Sequence, residues 1–207
     1  GPPLCGAPVI RRPEEIDQIS APEIGASPML QRVLHTIAGL KLRLADQVPI
    51  IGVAISPFSL PVMQMGFDRY IELMYEQPER FLKLMQANEE FTVAWANAQL
   101  AAGATAICYF DPVSSTTNIT RELYLRTGQQ VTKRTLARIK GATATHLASG
   151  RGLPIIGDIA DTGTAMVGIS VLEKSGGPNP STRTRTDTPR LAAAASASTT
   201  ARPVESS

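Results

Sequence analysis

Apolar residues recur along this chain with two different periods. Met29, Val33, Ile37, Leu40 and Leu44 fall three and four residues apart, which predicts an amphipathic helix over 28–46. Pro49 to Ile55 is instead a continuous apolar run with β-branched residues, the signature of a strand buried on both faces. Helical spacing returns between Gly66 and Asn97 as one or two helices, with Pro78 opening a new first turn. Phe81, Leu84, Met85, Phe91, Val93, Trp95 and Leu100 carry that helix to a stop at Ala102-Gly103-Ala104. A second strand is predicted at Ala106–Phe110, ending at Asp111-Pro112. Thr120 then caps a helix running to about Lys140. A third strand is expected at Ala142–Leu147, a short turn or helix at Leu153–Asp161, and a fourth strand at Met166–Leu172. Residues 1–28 are rich in proline and small residues and read as loop, with a short helix at Pro13–Asp17.

This order of strands and helices argues for βαβ units and a parallel sheet. A complete (β/α)8 barrel takes about 250 residues. Residues 1–174 supply about four strand–helix units, so the pattern fits half a barrel or a small open α/β sheet equally well. From 175 to 207 the composition turns to Ser, Thr, Pro, Arg and Ala, with Leu191 and Val204 its only large aliphatic residues. Such a segment buries too little apolar surface to offset its ordering entropy, and it reads as a disordered tail.

The formal net charge of +2 gives no reason to expect a nucleic-acid or membrane surface. No apolar run is long enough to span a bilayer, and no leader-like segment opens the chain. The two cysteines, Cys5 and Cys108, are too few for a disulfide framework, and Cys108 reads as a small core residue. A reducing, cytoplasmic setting is the expectation.

Functional residues of parallel α/β folds gather at the C-terminal ends of the strands. Four such ends follow the predicted strands: Ser56-Pro57-Phe58-Ser59, Asp111-Pro112-Val113-Ser114-Ser115, His146-Leu147-Ala148-Ser149-Gly150 and Leu172-Glu173-Lys174. Asp111 reads either as a general base, cation ligand or substrate holder, or as the cap of a turn backed by Pro112. His146 reads either as a metal ligand or as a structural histidine, because no cysteine or second histidine lies near it in sequence. His35, inside the first helix, reads as structural or solvated. Phosphate-binding glycine motifs and a nucleophile elbow are absent from the sequence.

The strand ends carry a family resemblance over about residues 8–174. Val48-Pro49-Ile50-Ile51-Gly52 with Ser56-Pro57-Phe58-Ser59-Leu60 resembles a motif of uroporphyrinogen decarboxylase and its relatives, the methylcobamide:coenzyme M methyltransferases. Ala101-Ala102-Gly103-Ala104 with Asp111-Pro112-Val113-Ser114-Ser115 resembles a second motif. Thr145-His146-Leu147, Pro154, Asp161-Thr162-Gly163 and Ile169-Ser170-Val171 resemble a third, in the family's order and spacing.

The resemblance implies a (β/α)8 barrel of the uroporphyrinogen decarboxylase type with a pocket at its C-terminal face. It implies either cofactor-free decarboxylation of a tetrapyrrole or zinc-assisted methyl transfer from a corrinoid protein to a thiol. Asp111 and His146 would be the catalytic pair, with Ser56, Phe58 and Ser114 binding substrate and His146 the metal ligand. Several positions depart from the pattern. Met63 stands near the decarboxylase tyrosine, Pro112 at the decarboxylase serine, Ala148 at the zinc cysteine, and Leu172 at an aspartate. The reading this favours is a truncated relative of the corrinoid-linked methyltransferases with an incomplete zinc site, its tail a frameshifted or truncated continuation. The alternatives are a uroporphyrinogen decarboxylase that binds a tetrapyrrole, and a non-catalytic partial barrel that self-associates as a homo-oligomer through its open strand edges.

Overall fold

A computed structural model of the chain describes residues 7–169. The predicted fourth-strand residues Ser170–Leu172, Cys5 and the 175–207 tail lie outside the described residues. The described chain opens with a 3-10 turn at Pro13–Gln18, which buries Ile16 completely. Helix α1 (Pro28–Leu44) starts where the Ser27 hydroxyl accepts from the Leu30 amide at 3.4 Å, with Pro28 in the first turn. Strand β1 (Ile51–Ile55) follows. Helices α2 (Leu60–Met65) and α3 (Phe67–Glu76) meet at Gly66, whose φ of +87° suits a residue without a Cβ. Helix α4 (Pro78–Ala101) leads to β2 (Ala106–Phe110). Helices α5 (Arg121–Arg126) and α6 (Gly128–Leu136), strand β3 (Ala142–His146), helix α7 (Ile156–Ala160) and strand β4 (Met166–Gly168) complete the order.

The four strands are parallel and lie in chain order, β1-β2-β3-β4. Their alternation of buried and open positions divides the sheet into two unlike faces. Ala54, Tyr109, Thr145 and Val167 stand in one register row and are all buried. Ile107 and Trp95 join Ala54 and Tyr109 in the apolar layer on that side, with Leu30 and Leu34 packed against it. The opposite face carries three further rows: Ile51–Ala106–Ala142, Val53–Cys108–Ala144–Met166, and Ile55–Phe110–His146–Gly168. Ile51 and Val53 are each 52% exposed there.

Three expectations change. Strand β1 was expected to be buried on both faces, yet only one of its faces is covered, and Cys108 is a half-buried residue of the open face rather than core. The α1 stripe is displaced from the predicted one. Ile37 faces the protein as expected, but Leu30 and Leu34 join it there, while Met29, Val33 and Leu40 are exposed. Both sets share the same spacing, and only the packing partner chooses between them. The helix predicted from Thr120 to Lys140 is two helices broken at Thr127 (φ −125°, ψ −80°). The break lets Gly128 seat against Ser114 and Phe58, where a Cβ would lie 2.9 Å from Ser114 Oγ and 3.0 Å from Phe58 Cδ1.

Candidate functional site

The ends of β1 and β2 meet at one buried carboxylate. Asp111 directly follows β2, and its amide donates to the His146 carbonyl at 2.8 Å, extending the sheet by one rung. Asp111 Oδ1 accepts from Ser56 Oγ at 2.5 Å and from Ser59 Oγ at 2.6 Å. Ser56 Oγ accepts in turn from the Ser59 amide at 2.9 Å, and Ser59 Oγ accepts from the Val113 amide at 3.1 Å. Each hydroxyl therefore has its donor and acceptor directions fixed, and the two strand-end loops are tied together through Asp111.

Asp111 is 1% exposed. Burial raises its pKa above the ordinary carboxylate value. The neighbouring Ser114 hydroxyl and the hydrogen bonds from Ser56 and Ser59 oppose that rise. Ser114 Oγ acts by proximity, without a hydrogen bond of ordinary geometry. Tyr70 is fully buried edge-on to Phe58, with ring centroids 5.8 Å apart. Its phenol is pushed well above its usual pKa by burial first and then by the charge of Asp111.

The strand-end residues thus separate into two sets. Asp111, Ser56, Phe58 and Ser114 come together, but under the surface, with Phe58 wholly enclosed. His146 stands apart from them, at the end of the open-face row. Its ring lies 5.9 Å from that of Phe110, and its Nδ1 is 3.0 Å from where a Cβ on Gly168 would sit. Asp111 and His146 touch through the backbone, not through their side chains. Between the loops after β2 and β3 lies a cleft of about 160 Å³, lined by Pro112, Thr117, Asn118, Leu147, Ala148, Ser149 and Gly150. Gly150 is needed there, because a Cβ at that position would come within 2.3 Å of Ser115. A larger recess of about 680 Å³, around Asp17, Glu76 and Arg80, contains no strand-end residue.

Ser59 and Tyr70 were not singled out from the sequence. Ser59 lies in a quoted motif, but nothing in the spacing distinguishes its hydroxyl from that of Ser56. Tyr70 sits on α3, far along the chain from any strand end.

Among the described residues, the zinc that the resemblance implies finds no matching donor set. No group of three His, Cys, Asp or Glu side chains able to hold a metal occurs among the described residues. Ala148, at the expected cysteine position, has an unusual φ of +54° and offers no donor atom. A lone imidazole does not hold zinc.

With this geometry in view, the comparisons with known proteins decide the family. The uroporphyrinogen decarboxylase family model matches residues 1–188. The chain belongs to the uroporphyrinogen decarboxylase family. It is 27% identical over 169 residues to a methylcobamide:CoM methyltransferase of Methanosarcina barkeri, covering 79% of this chain and 48% of that protein. It is 40% identical over 85 residues to a uroporphyrinogen decarboxylase of Carboxydothermus hydrogenoformans, covering 38% of this chain and 24% of the relative. Among solved structures, a methyltransferase from Methanosarcina mazei superposes with a TM-score of 0.70 at 22% identity, over 78% of this chain and 47% of that one. The chain thus spans about half the length of the methyltransferase it matches. Its four parallel strand–helix units are a portion of the family's (β/α)8 barrel, and the open sheet face corresponds to the barrel interior. No described helix is long and apolar enough to cross a membrane.

Proposed function

We propose that this chain belongs to the corrinoid-linked methyl-transfer branch of the family, presenting its strand-end cleft to a methylated corrinoid and a thiol acceptor. The observation that carries this reading is the uncharged lining of the cleft. Uroporphyrinogen is a polycarboxylate, and recognising it calls for cationic or multiple donor groups. A methyl group and a thiol ask only for a small, neutral recess.

In this reading the partner is a corrinoid protein, and His146, at the end of the open-face row and next in sequence to the cleft residue Leu147, is the side chain that meets the ligand. Asp111, Ser56 and Ser114 fix the loop that carries Pro112, Thr117 and Asn118, and Phe58 supports that loop from below. Asp111 acts through the wall it holds, because its carboxylate is buried. The described residues supply no group that would keep the acceptor as thiolate, so thiol activation is assigned to none of them.

Equilibrium dialysis of the full chain against methylcobalamin, with uroporphyrin as competitor, tests the reading. Methylcobalamin should be retained, uroporphyrin should not displace it, and His146→Ala should weaken retention by about tenfold, or about 1.4 kcal/mol. Retention of uroporphyrin without methylcobalamin would establish the decarboxylase reading instead.

A further inference from the structure

Strand β3 has a described neighbour on each side, β2 and β4, so the immediate surroundings of His146 come from within the four-stranded sheet. His146 stands in register with Phe110 on one side and with Gly168 on the other. The next rung, where the Asp111 amide donates to the His146 carbonyl at 2.8 Å, holds the main chains of β2 and β3 together at this height. Phe110 and His146 therefore put their side chains on the same face, as neighbours in one register row do.

The two neighbours treat the imidazole differently. Phe110 lays a ring against it, with centroids 5.9 Å apart and planes inclined by 46°, a tilted aromatic contact. Gly168 leaves room for it. A Cβ on Gly168 would stand 3.0 Å from Nδ1, 3.6 Å from Cγ and 3.7 Å from Cβ of His146, so the imidazole uses the space that a side chain there would need. The Nδ1 edge of the ring thus lies over the β4 backbone. Nε2, at the far end of the ring from the main chain, is the nitrogen left for a ligand. Fixing a side chain by packing before a ligand arrives removes its ordering cost from binding.

We propose that Phe110 is a positioning residue for His146, and that Gly168 is required as glycine for the same arrangement, so that the imidazole presents Nε2 to the methylated corrinoid. The ligand named here rests on the methyl-transfer reading. The clamp on the imidazole rests on the register of three adjacent strands and stands without it. Phe110 acts through His146, by holding its ring, and Gly168 acts by leaving the ring its place.

Long-range proton–nitrogen correlation spectra of the full chain, labelled at its histidine nitrogens, test the clamp without ligand. The chain has two histidines, and His35, exposed on α1, serves as the reference for an intact fold. The His146 ring should show a single set of signals, with nuclear Overhauser contacts to the Phe110 ring and the Gly168 α-protons. Phe110→Ala and Gly168→Ala should each shift or split the His146 signals and leave those of His35 in place, and Phe110→Tyr should keep the parent pattern. Equilibrium dialysis against methylcobalamin then reads the consequence. Phe110→Ala should weaken retention about tenfold and Phe110→Tyr less than about twofold, and Phe110→Ala combined with His146→Ala should be no weaker than His146→Ala alone. Additive losses, about 100-fold in the double variant, would overturn the proposal, because Phe110 would then touch the ligand itself. His146 signals indifferent to both Phe110→Ala and Gly168→Ala would overturn it as well. A parent that retains no methylcobalamin would overturn the methyl-transfer reading instead, and the His146 signals would still decide the clamp.

Discussion

At the scale of single residues, Asp111 organises the candidate site. Its position at a strand end was legible in the sequence, since an acidic residue directly follows an apolar run. Its burial was not, because burial depends on Ser56, Ser59 and Ser114 closing over it from two loops that are distant in the chain. The raised pKa has a definite consequence for stability. The folded state holds the Asp111 proton more tightly than the unfolded state, so the stabilising contribution is full below the ordinary value of 3.8. It is lost as pH rises through the raised folded value. Asp111→Asn keeps the acceptor oxygen and removes the charge. Its stability should lie within about 1 kcal/mol of the parent at neutral pH and should lack that decline. Asp111→Ala strands the Ser56 and Ser59 donors and should cost about 2–4 kcal/mol at every pH. Urea titrations at several pH values read both outcomes. A parent with flat pH dependence, or an alanine variant as stable as the asparagine, would show that Asp111 is not the node described.

At the scale of elements, strand positions were legible because continuous apolar runs have few other interpretations. Helix interruptions were harder to read. Nothing between Thr120 and Lys140 signals a break other than Gly128, and a lone glycine inside a helical pattern is ambiguous. What decides is the close approach of Gly128 to Ser114 and Phe58, a tertiary contact. The α1 stripe was met only at Ile37 for the same reason, as overlapping apolar sets share one helix and only the packing partner selects between them. Two alanine substitutions separate these effects. Gly128→Ala places a methyl against Ser114 and Phe58 and should lose about 1–3 kcal/mol. Gly39→Ala lies in α1 with open space around it and should gain up to about 1 kcal/mol from helix propensity. Thermal melts that rank the two in the opposite order would contradict the packing assigned to α6.

At the scale of the molecule, the four parallel strands were anticipated, and the comparison with known structures resolved half-barrel against open sheet. The asymmetry of the sheet was not anticipated. A run such as Ile50-Ile51-Gly52-Val53-Ala54-Ile55 predicts burial on both faces whatever covers them, and here only α4 and its neighbours do so. His146 and Ala148 were placed correctly at the end of β3, yet their separation from Asp111 depends on which face each side chain takes. The cleft between the β2 and β3 loops is the recess on which the proposed function rests. The most direct measurement of the functional account uses the full chain in two parallel reactions, methylcobalamin with 2-mercaptoethanesulfonate and uroporphyrinogen alone. The account predicts loss of the methylcobalamin absorbance above a protein-free control, reduced in His146→Ala, and no coproporphyrinogen. Accumulation of coproporphyrinogen with an unchanged methylcobalamin spectrum would contradict it.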